Sequence, residues 1–337
     1  MPPPPQKVLI ALTRSSLSTA EEIQNDILSD YQVDLLPIIA HEPSVSSVQE
    51  VTNDVMLGAP DWIIAIGGGS VMDAAKAAAI IATNGGNVEG HLRGTQTIEH
   101  QGIPLIAIPT TSGLGSEVTP YASITDTQEK RKISFSHDYL FPKFALLDPS
   151  LTLTPRQTAI SEMDALSHAI EGYWSKRATP ATDALALGAS RLVFDQLARL
   201  KNSPKDLAAR RLAMEGSMLA GLTISNAQTT AVHAVSYPIT VFYGVPHGLT
   251  CYLLLPAMIR FNSGAIAADK ERRLLENLGV DSMVHMAESV ECLQSQLELP
   301  SRLADVGIEN GYWPDRLANN PKAISGAQLA TMLEGRI

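Results

Sequence analysis

Asp164 and His168 stand four residues apart in S-E-M-D-A-L-S-H-A-I-E-G-Y-W-S, residues 161–175. The stretch reads as helix, so a carboxylate and an imidazole share one face. A hard oxygen beside a borderline nitrogen suits a divalent metal. Alone, such a pair is more often a surface hydrogen bond than half of a metal site, and two more donors have to come from elsewhere. His233, in T-A-V-H-A-V-S-Y, and His247, in G-V-P-H-G-L, are the candidates. Either one by itself is more often a core or capping histidine. With Asp164 and His168 they make three imidazoles and one carboxylate, a set that fits Fe(II) or Zn(II) as a Lewis-acid site. Spacing along the chain does not show that the four converge.

Two glycine-bearing loops carry a second kind of chemistry. G-G-G-S-V-M-D, residues 67–73, follows the buried strand W-I-I-A-I and opens a helix. Glycines let the backbone approach a ligand, and a helix N-terminus offers free N–H groups and the positive end of its dipole, so a pyrophosphate fits there. A tight strand–helix turn without ligand is the alternative. It is not the G-x-G-x-x-G fingerprint on a first strand, because the first strand ends in T-R-S-S, without glycine. P-T-T-S-G-L-G-S-E, residues 109–117, again follows a buried strand and offers hydroxyl and backbone donors to a phosphate or ribose, or else simply caps a helix. Two such loops at the same ends of neighbouring parallel strands point to a nucleotide cleft.

The elements that must hold these groups alternate at first. Strands are expected at residues 8–12, 33–38, 62–66 and 104–108, and shorter strand-like pieces at 118–125, 133–135 and 144–147. Helices are expected at 18–28, 44–56 (capped by Ser44) and 71–81, with loop over 84–101. Alternation of this kind predicts an α/β domain with a parallel sheet. After Leu153 the texture changes. T-P-R-Q at 154–157 is a helix start with a capping-box pattern and proline at the first position. T-P at 179–180 opens another helix, and 204–221 and 227–237 read as two more. Residues 267–297 and 324–333 are also mostly helical. The expected organisation is a dinucleotide-binding α/β domain over 1–152 and an all-helical, metal-binding catalytic domain over 153–337.

The 337 residues are 45% hydrophobic and 18% charged, enough to build sizeable cores and to expect about two domains. A net charge of −10 argues against nucleic acid or an anionic membrane as partner. No apolar run is long enough to span a bilayer. M-P-P-P-P-Q-K lacks the apolar stretch of a signal peptide and is expected to be a disordered lead-in. Cys251 and Cys292, the two cysteines, are expected to be idle thiols in a reducing compartment.

On five motifs in order the chain resembles the iron-containing, group III alcohol dehydrogenases: G-G-G-S-x-x-D at 67–73, P-T-T-S-G-x-G-S-E at 109–117, D-A-L-S-H-A-I-E at 164–171, V-H-A at 232–234 and P-H-G at 246–248. Each motif is weak and the ordered set is specific. The resemblance implies a dehydroquinate synthase-like architecture: an α/β N-terminal dinucleotide-binding domain with a parallel sheet, followed by an all-α C-terminal domain, with the active site in the cleft between them. It implies Asp164, His168, His233 and His247 as ligands of Fe(II), with Zn(II) as the other candidate. It implies Gly68, Gly69, Ser70, Asp73, Thr110 and Thr111 at the cofactor, with Lys132 and Leu147 lining it. The chain departs from the family pattern in three ways. Tyr237 replaces a histidine often found four residues after the third ligand and becomes the candidate proton carrier. Leu114 replaces the threonine of S-G-T-G in the cofactor loop. The chain is shorter than most members, so some C-terminal loops are expected to be trimmed.

Thr13, Arg14 and Ser15 follow the first strand where an acidic residue would bind a ribose 2′-hydroxyl and repel a 2′-phosphate. A cation flanked by hydroxyls, similar to the G-K-S-S of NADP-using relatives, favours NADP over NAD. The expected activity is hydride transfer between NAD(P)(H) and a small alcohol/aldehyde pair, in a cytoplasmic enzyme that forms a homodimer and engages neither membrane nor nucleic acid. Alternatives are reduction of a small anionic aldehyde of the phosphonoacetaldehyde or semialdehyde type, a non-redox dehydroquinate synthase-like enzyme, or a silent binding protein that keeps the fold.

Overall fold

The structure, a computed structural model, describes residues 6–38, 42–152, 155–308 and 319–333. The chain folds as two compact units. The first, residues 1–111 with 116–152, is built on a parallel sheet. Its strands are β1 (Lys7–Leu12), β2 (Gln32–Pro37), β3 (Trp62–Gly67), β4 (Leu105–Pro109) and β7 (Phe144–Ala145), in the order β2-β1-β3-β4-β7. β5 (Tyr121–Asp126) and β6 (Arg131–Ser136) leave this sheet and pair antiparallel with each other. The helices are α1 (Leu17–Glu22), α2 (Val45–Gly58), α3 (Gly69–Asn84) and α4 (Val88–Leu92).

The strands read as near-continuous apolar runs because both faces of the sheet are covered. Val8, Ile10 and Leu12 of β1 and Ile64 and Ile66 of β3 join one core, while Leu9, Ala11, Ile63 and Ala65 join the other with the inner face of α3. Ser44 caps α2 as expected, in a reciprocal capping box with Ser47. α4 falls inside the stretch expected to be loop; Asn87 caps it by accepting from the Gly90 N–H.

The second unit, residues 112–115 with 153–337, is helical. It contains α5 (Pro155–Trp174), α6 (Pro180–Asn202), α7 (Leu207–Ala227), α8 (Ala231–Tyr243), α9 (His247–Asn262), α10 (Ala268–Leu278), α11 (Met283–Gln296) and α12 (Gly326–Leu333). The cap expected at Thr154 and the proline lead-in at residues 1–5 lie outside the described residues. Thr179 caps α6 in a capping box with Thr182, ahead of Pro180. α8 was expected to end at about Tyr237. Instead it runs on to Tyr243 through Pro238, which removes one hydrogen bond from the ladder. The buried Val235, Ile239 and Thr240 on either side hold the helix together. Among the described residues no helix is long and apolar enough to cross a membrane.

Candidate functional site

In the first unit, the strand order places the topological switch between β1 and β3. In open parallel sheets this is where ligands settle, outside the C-terminal strand ends. Three loops leave there. Gly67 of β3 pairs with Pro109 of β4, so the glycine and P-T-T loops leave adjacent strands at one level; the Thr110 N–H donates to Gly67 O at 2.9 Å. Gly68 caps α3 with no side chain of its own, and Gly69 already lies in the helix. Its first-turn N–H groups form an anion seat. A Cβ on Gly68 would stand 3.5 Å from Thr111 Cγ2 and Oγ1, so the two loops line one surface. The hydroxyls of Thr110 and Thr111 are buried without a hydrogen-bond partner. Buried hydroxyls left unpaired are costly, and each marks a place where a polar ligand can bind.

After β1, Thr13 bonds Ser15 Oγ at 3.0 Å and Ser16 Oγ at 2.9 Å, and Arg14 is exposed. Ser70 and Leu114 are half-buried, and so is Leu147 after β7. Two expected cofactor residues are engaged by the protein itself. Asp73 Oδ1 accepts from Ser116 Oγ, its Oδ2 accepts from the Ser123 N–H at 2.8 Å, and Lys76 Nζ lies 3.4 Å away. Lys132 Nζ pairs with Glu42 Oε2 at 2.8 Å. The sequence also gave no hint of Lys76 itself. It is buried and donates to the carbonyls of Ser116 (2.9 Å) and Tyr121, fastening the loop after β4 to the start of β5. Burial lowers its pKa, against the pull of Asp73.

In the second unit, Asp164 and His168 occupy successive turns of α5, His233 sits in the first turn of α8 and His247 is the first residue of α9. Gly248 lets α9 start this close: a Cβ there would stand 2.9 Å from Ile160 O. Asp164 Oδ1 lies 3.3 Å from His233 Nε2 and 4.0 Å from His247 Nε2. The His168 ring stacks on that of His233, centroids 4.5 Å apart, and His247 meets His233 edge-on at 5.2 Å. Donor atoms of Asp164, His233 and His247, with Cys251 Sγ, all lie within 4.8 Å of one another. His168 is not in this tightest group, though its ring borders it. Tyr237, half-buried, holds its ring 5.5 Å from that of His247.

The imidazoles are held in definite tautomers. His233 Nδ1 donates to Glu171 Oε2, while Glu171 Oε1 collects the N–H groups of Thr230 (3.1 Å) and Val232 (2.7 Å) and the Thr230 hydroxyl (2.6 Å). Trp174 Nε1 donates to that hydroxyl in turn. Glu171 is therefore saturated as an acceptor, and His233 Nε2 is the nitrogen turned toward Asp164. The Ser236 hydroxyl donates to His233 O at 2.8 Å, so its oxygen accepts from His247 Nδ1 at 3.1 Å, and His247 Nε2 is the nitrogen that faces Asp164 and the Cys251 thiol.

These donors fit a divalent cation. Asp164 is fully buried, yet neither of its oxygens has a hydrogen-bond partner, and His168 Nδ1 and His233 Nε2 are likewise unpartnered. A buried carboxylate with no hydrogen-bond donor on either oxygen is costly, and a metal ion removes that cost. Burial raises the Asp164 carboxyl, but the three surrounding histidines outweigh it and hold the group well below the ordinary carboxylate range. Burial pushes His168 down to about 4, so it is a neutral donor near pH 7. Glu162, on the same helix, goes the other way: burial pushes it up to about 8, against Ser112 and Arg210 beside it.

Residues 4–149 match the family described as Iron-containing alcohol dehydrogenase, and residues 158–327 match the Fe-containing alcohol dehydrogenase family, C-terminal. Long-chain-alcohol dehydrogenase 1 of Geobacillus thermodenitrificans is 37% identical over 287 residues, covering 82% of this chain and 70% of that one. Sulfoacetaldehyde reductase of Bilophila wadsworthia is 34% identical over 315 residues, covering 87% and 81%. Among solved structures, sulfoacetaldehyde reductase from Bifidobacterium kashiwanohense in complex with NAD+ matches with a TM-score of 0.88 at 29% identity, over 98% of this chain and 90% of that one.

Proposed function

The chain belongs to the iron-containing alcohol dehydrogenase family, and on that premise we propose that Asp164, His168, His233 and His247 hold its metal ion while the loops after β1, β3 and β4 hold its nicotinamide cofactor. It is an oxidoreductase of alcohols and aldehydes. The observation that supports the metal assignment is the convergence of donor atoms of Asp164, His233 and His247 from three helices, with both Asp164 oxygens and His233 Nε2 unpartnered. A bound Fe(II) or Zn(II) supplies Lewis acidity for the substrate oxygen, and the nicotinamide supplies or takes the hydride.

The chain's own residues prepare for that chemistry. Glu171 and Ser236 engage Nδ1 of His233 and of His247 and so turn Nε2 of each toward Asp164. The histidines around Asp164 hold its carboxyl well below the ordinary range, so it is an ionised donor near neutral pH. The uncapped start of α3 receives phosphate through backbone N–H groups, and the hydroxyls of Thr110 and Thr111 bind polar atoms of the nucleotide. Tyr237, beside His247, carries the proton between the reacting oxygen and solvent. Arg14 and the hydroxyls around it support NADP over NAD, since nothing acidic in T-R-S-S opposes a 2′-phosphate.

The substrate is a small alcohol or aldehyde. The test is a panel of simple and anionic aldehydes assayed with NADPH and NADH on protein reconstituted with Fe(II) or Zn(II). Turnover faster with NADPH, and lost on chelation, is expected. No turnover with any aldehyde and either cofactor would overturn the assignment.

A further inference from the structure

Gln228, Thr229 and Thr230 join α7 to α8. Gln228 holds φ 60° and ψ 162°, a backbone conformation that hardly any residue but glycine adopts. Such strain persists only where the surroundings impose it, and it gathers at functional sites. The residues that follow serve the site directly. The Thr230 N–H and hydroxyl and the Val232 N–H occupy one oxygen of Glu171, whose other oxygen takes the Nδ1 proton of His233.

The group that imposes this turn comes from far along the chain. Asn319 Nδ2 donates to Ala227 O at 3.2 Å and to Thr229 O at 3.0 Å, the carbonyls of the two neighbours of Gln228. It also donates to Ser175 Oγ at 2.9 Å, and that hydroxyl donates in turn to Ala227 O. All three partners are acceptors, so the amide nitrogen, not the oxygen, faces the turn. Asn319 O receives the Lys176 N–H at 3.3 Å, just past the end of α5, the helix that carries Asp164, His168 and Glu171. One half-buried side chain thus ties the strained turn to the metal-binding helix.

We propose that Asn319 is a positioning residue for the metal centre: by bridging the carbonyls of Ala227 and Thr229 it holds the turn that aims Thr230 and Val232 at Glu171, and so fixes the His233 ring. The assignment rests on the metal site proposed above and deepens it. Asn319 acts through the turn and not as a ligand.

The readout is zinc affinity, measured by chelator competition on folded protein below its melting range, because a loss of global stability alone leaves the affinity of the folded state unchanged. Asn319→Asp keeps the size of the side chain and removes its donors. Asn319→Ala removes them without adding a charge and serves if the first variant does not fold. Affinity at least about tenfold weaker than the parent's is expected. Gln228→Gly in the same background should recover most of it, since glycine adopts the turn without a clamp. Affinity equal to the parent's would overturn the role of Asn319 and leave the metal site standing. A loss that Gln228→Gly does not recover would also overturn it, because Asn319 would then act elsewhere than through the turn. No zinc uptake by the parent would overturn the metal site and this proposal with it.

Discussion

Glu171 Oε2 accepts the Nδ1 proton of His233, and the other oxygen of the same carboxylate is held by three donors from residues 230–232. The two residues lie on different helices, α5 and α8. One buried side chain thus locks the start of α8 and decides which face of the His233 ring points at Asp164.

Glu171→Gln tests this clamp. The amide presents N–H groups where Thr230 and Val232 already donate, so Gln cannot keep both sets of bonds. Metal affinity should fall about 10- to 100-fold, the usual loss when a partner behind a metal-binding histidine is removed. Chelator competition measures it. Unchanged affinity would mean that the tautomer is set elsewhere.

Lys76 plugs the first unit. Lys76→Met removes the cation beside Asp73 and takes a buried donor away from the carbonyls of Ser116 and Tyr121. Breaking one partner of such a cluster costs about 3–5 kcal/mol. A melting-temperature drop of about 5–10 °C should follow. A melting curve superimposable on the parent's would show that water replaces the ammonium without loss.

Glu162 predicts a pH dependence of stability in chelator-treated protein. Its folded pKa of about 8 lies above the ordinary 4.5, so the folded state holds this proton more tightly than the unfolded state. The stability this contributes is complete below 4.5 and is lost as pH rises through about 8. Glu162→Gln removes the titration, so the variant should gain on the parent progressively from weakly acidic to weakly alkaline pH, by a few kcal/mol at most. Thermal melts across that range decide it; a parallel pair of curves would rule out a raised pKa.

Tyr237→Phe keeps the ring beside His247 and removes the hydroxyl. If the phenol carries the proton, kcat should fall about tenfold or more and the pH–rate profile should lose one limb. An unchanged profile would remove Tyr237 from the mechanism.

The separate motifs were legible because each is local. A four-residue spacing places Asp164 with His168, and glycines after an apolar run mark a strand running into a helix. The sheet order and the antiparallel β5–β6 pair were not, since pairing depends on residues far apart in the chain. Glu171 was in plain view in D-A-L-S-H-A-I-E, but only the fold brings Thr230, Val232 and His233 to it. Asp73 and Lys132 were expected at the cofactor from the resemblance, yet Ser116, Ser123 and Glu42 engage them.

The claim that Asp164 anchors a metal ion on which turnover depends is tested most directly by measuring metal content and NADPH-dependent aldehyde reduction together, in the parent and in Asp164→Asn. The parent should take up one Fe(II) or Zn(II) per chain and lose activity when it is stripped, while Asp164→Asn should bind at least about 100-fold more weakly and turn over at background rate. Full turnover by the metal-free parent, or metal binding by Asp164→Asn equal to the parent's, would contradict it.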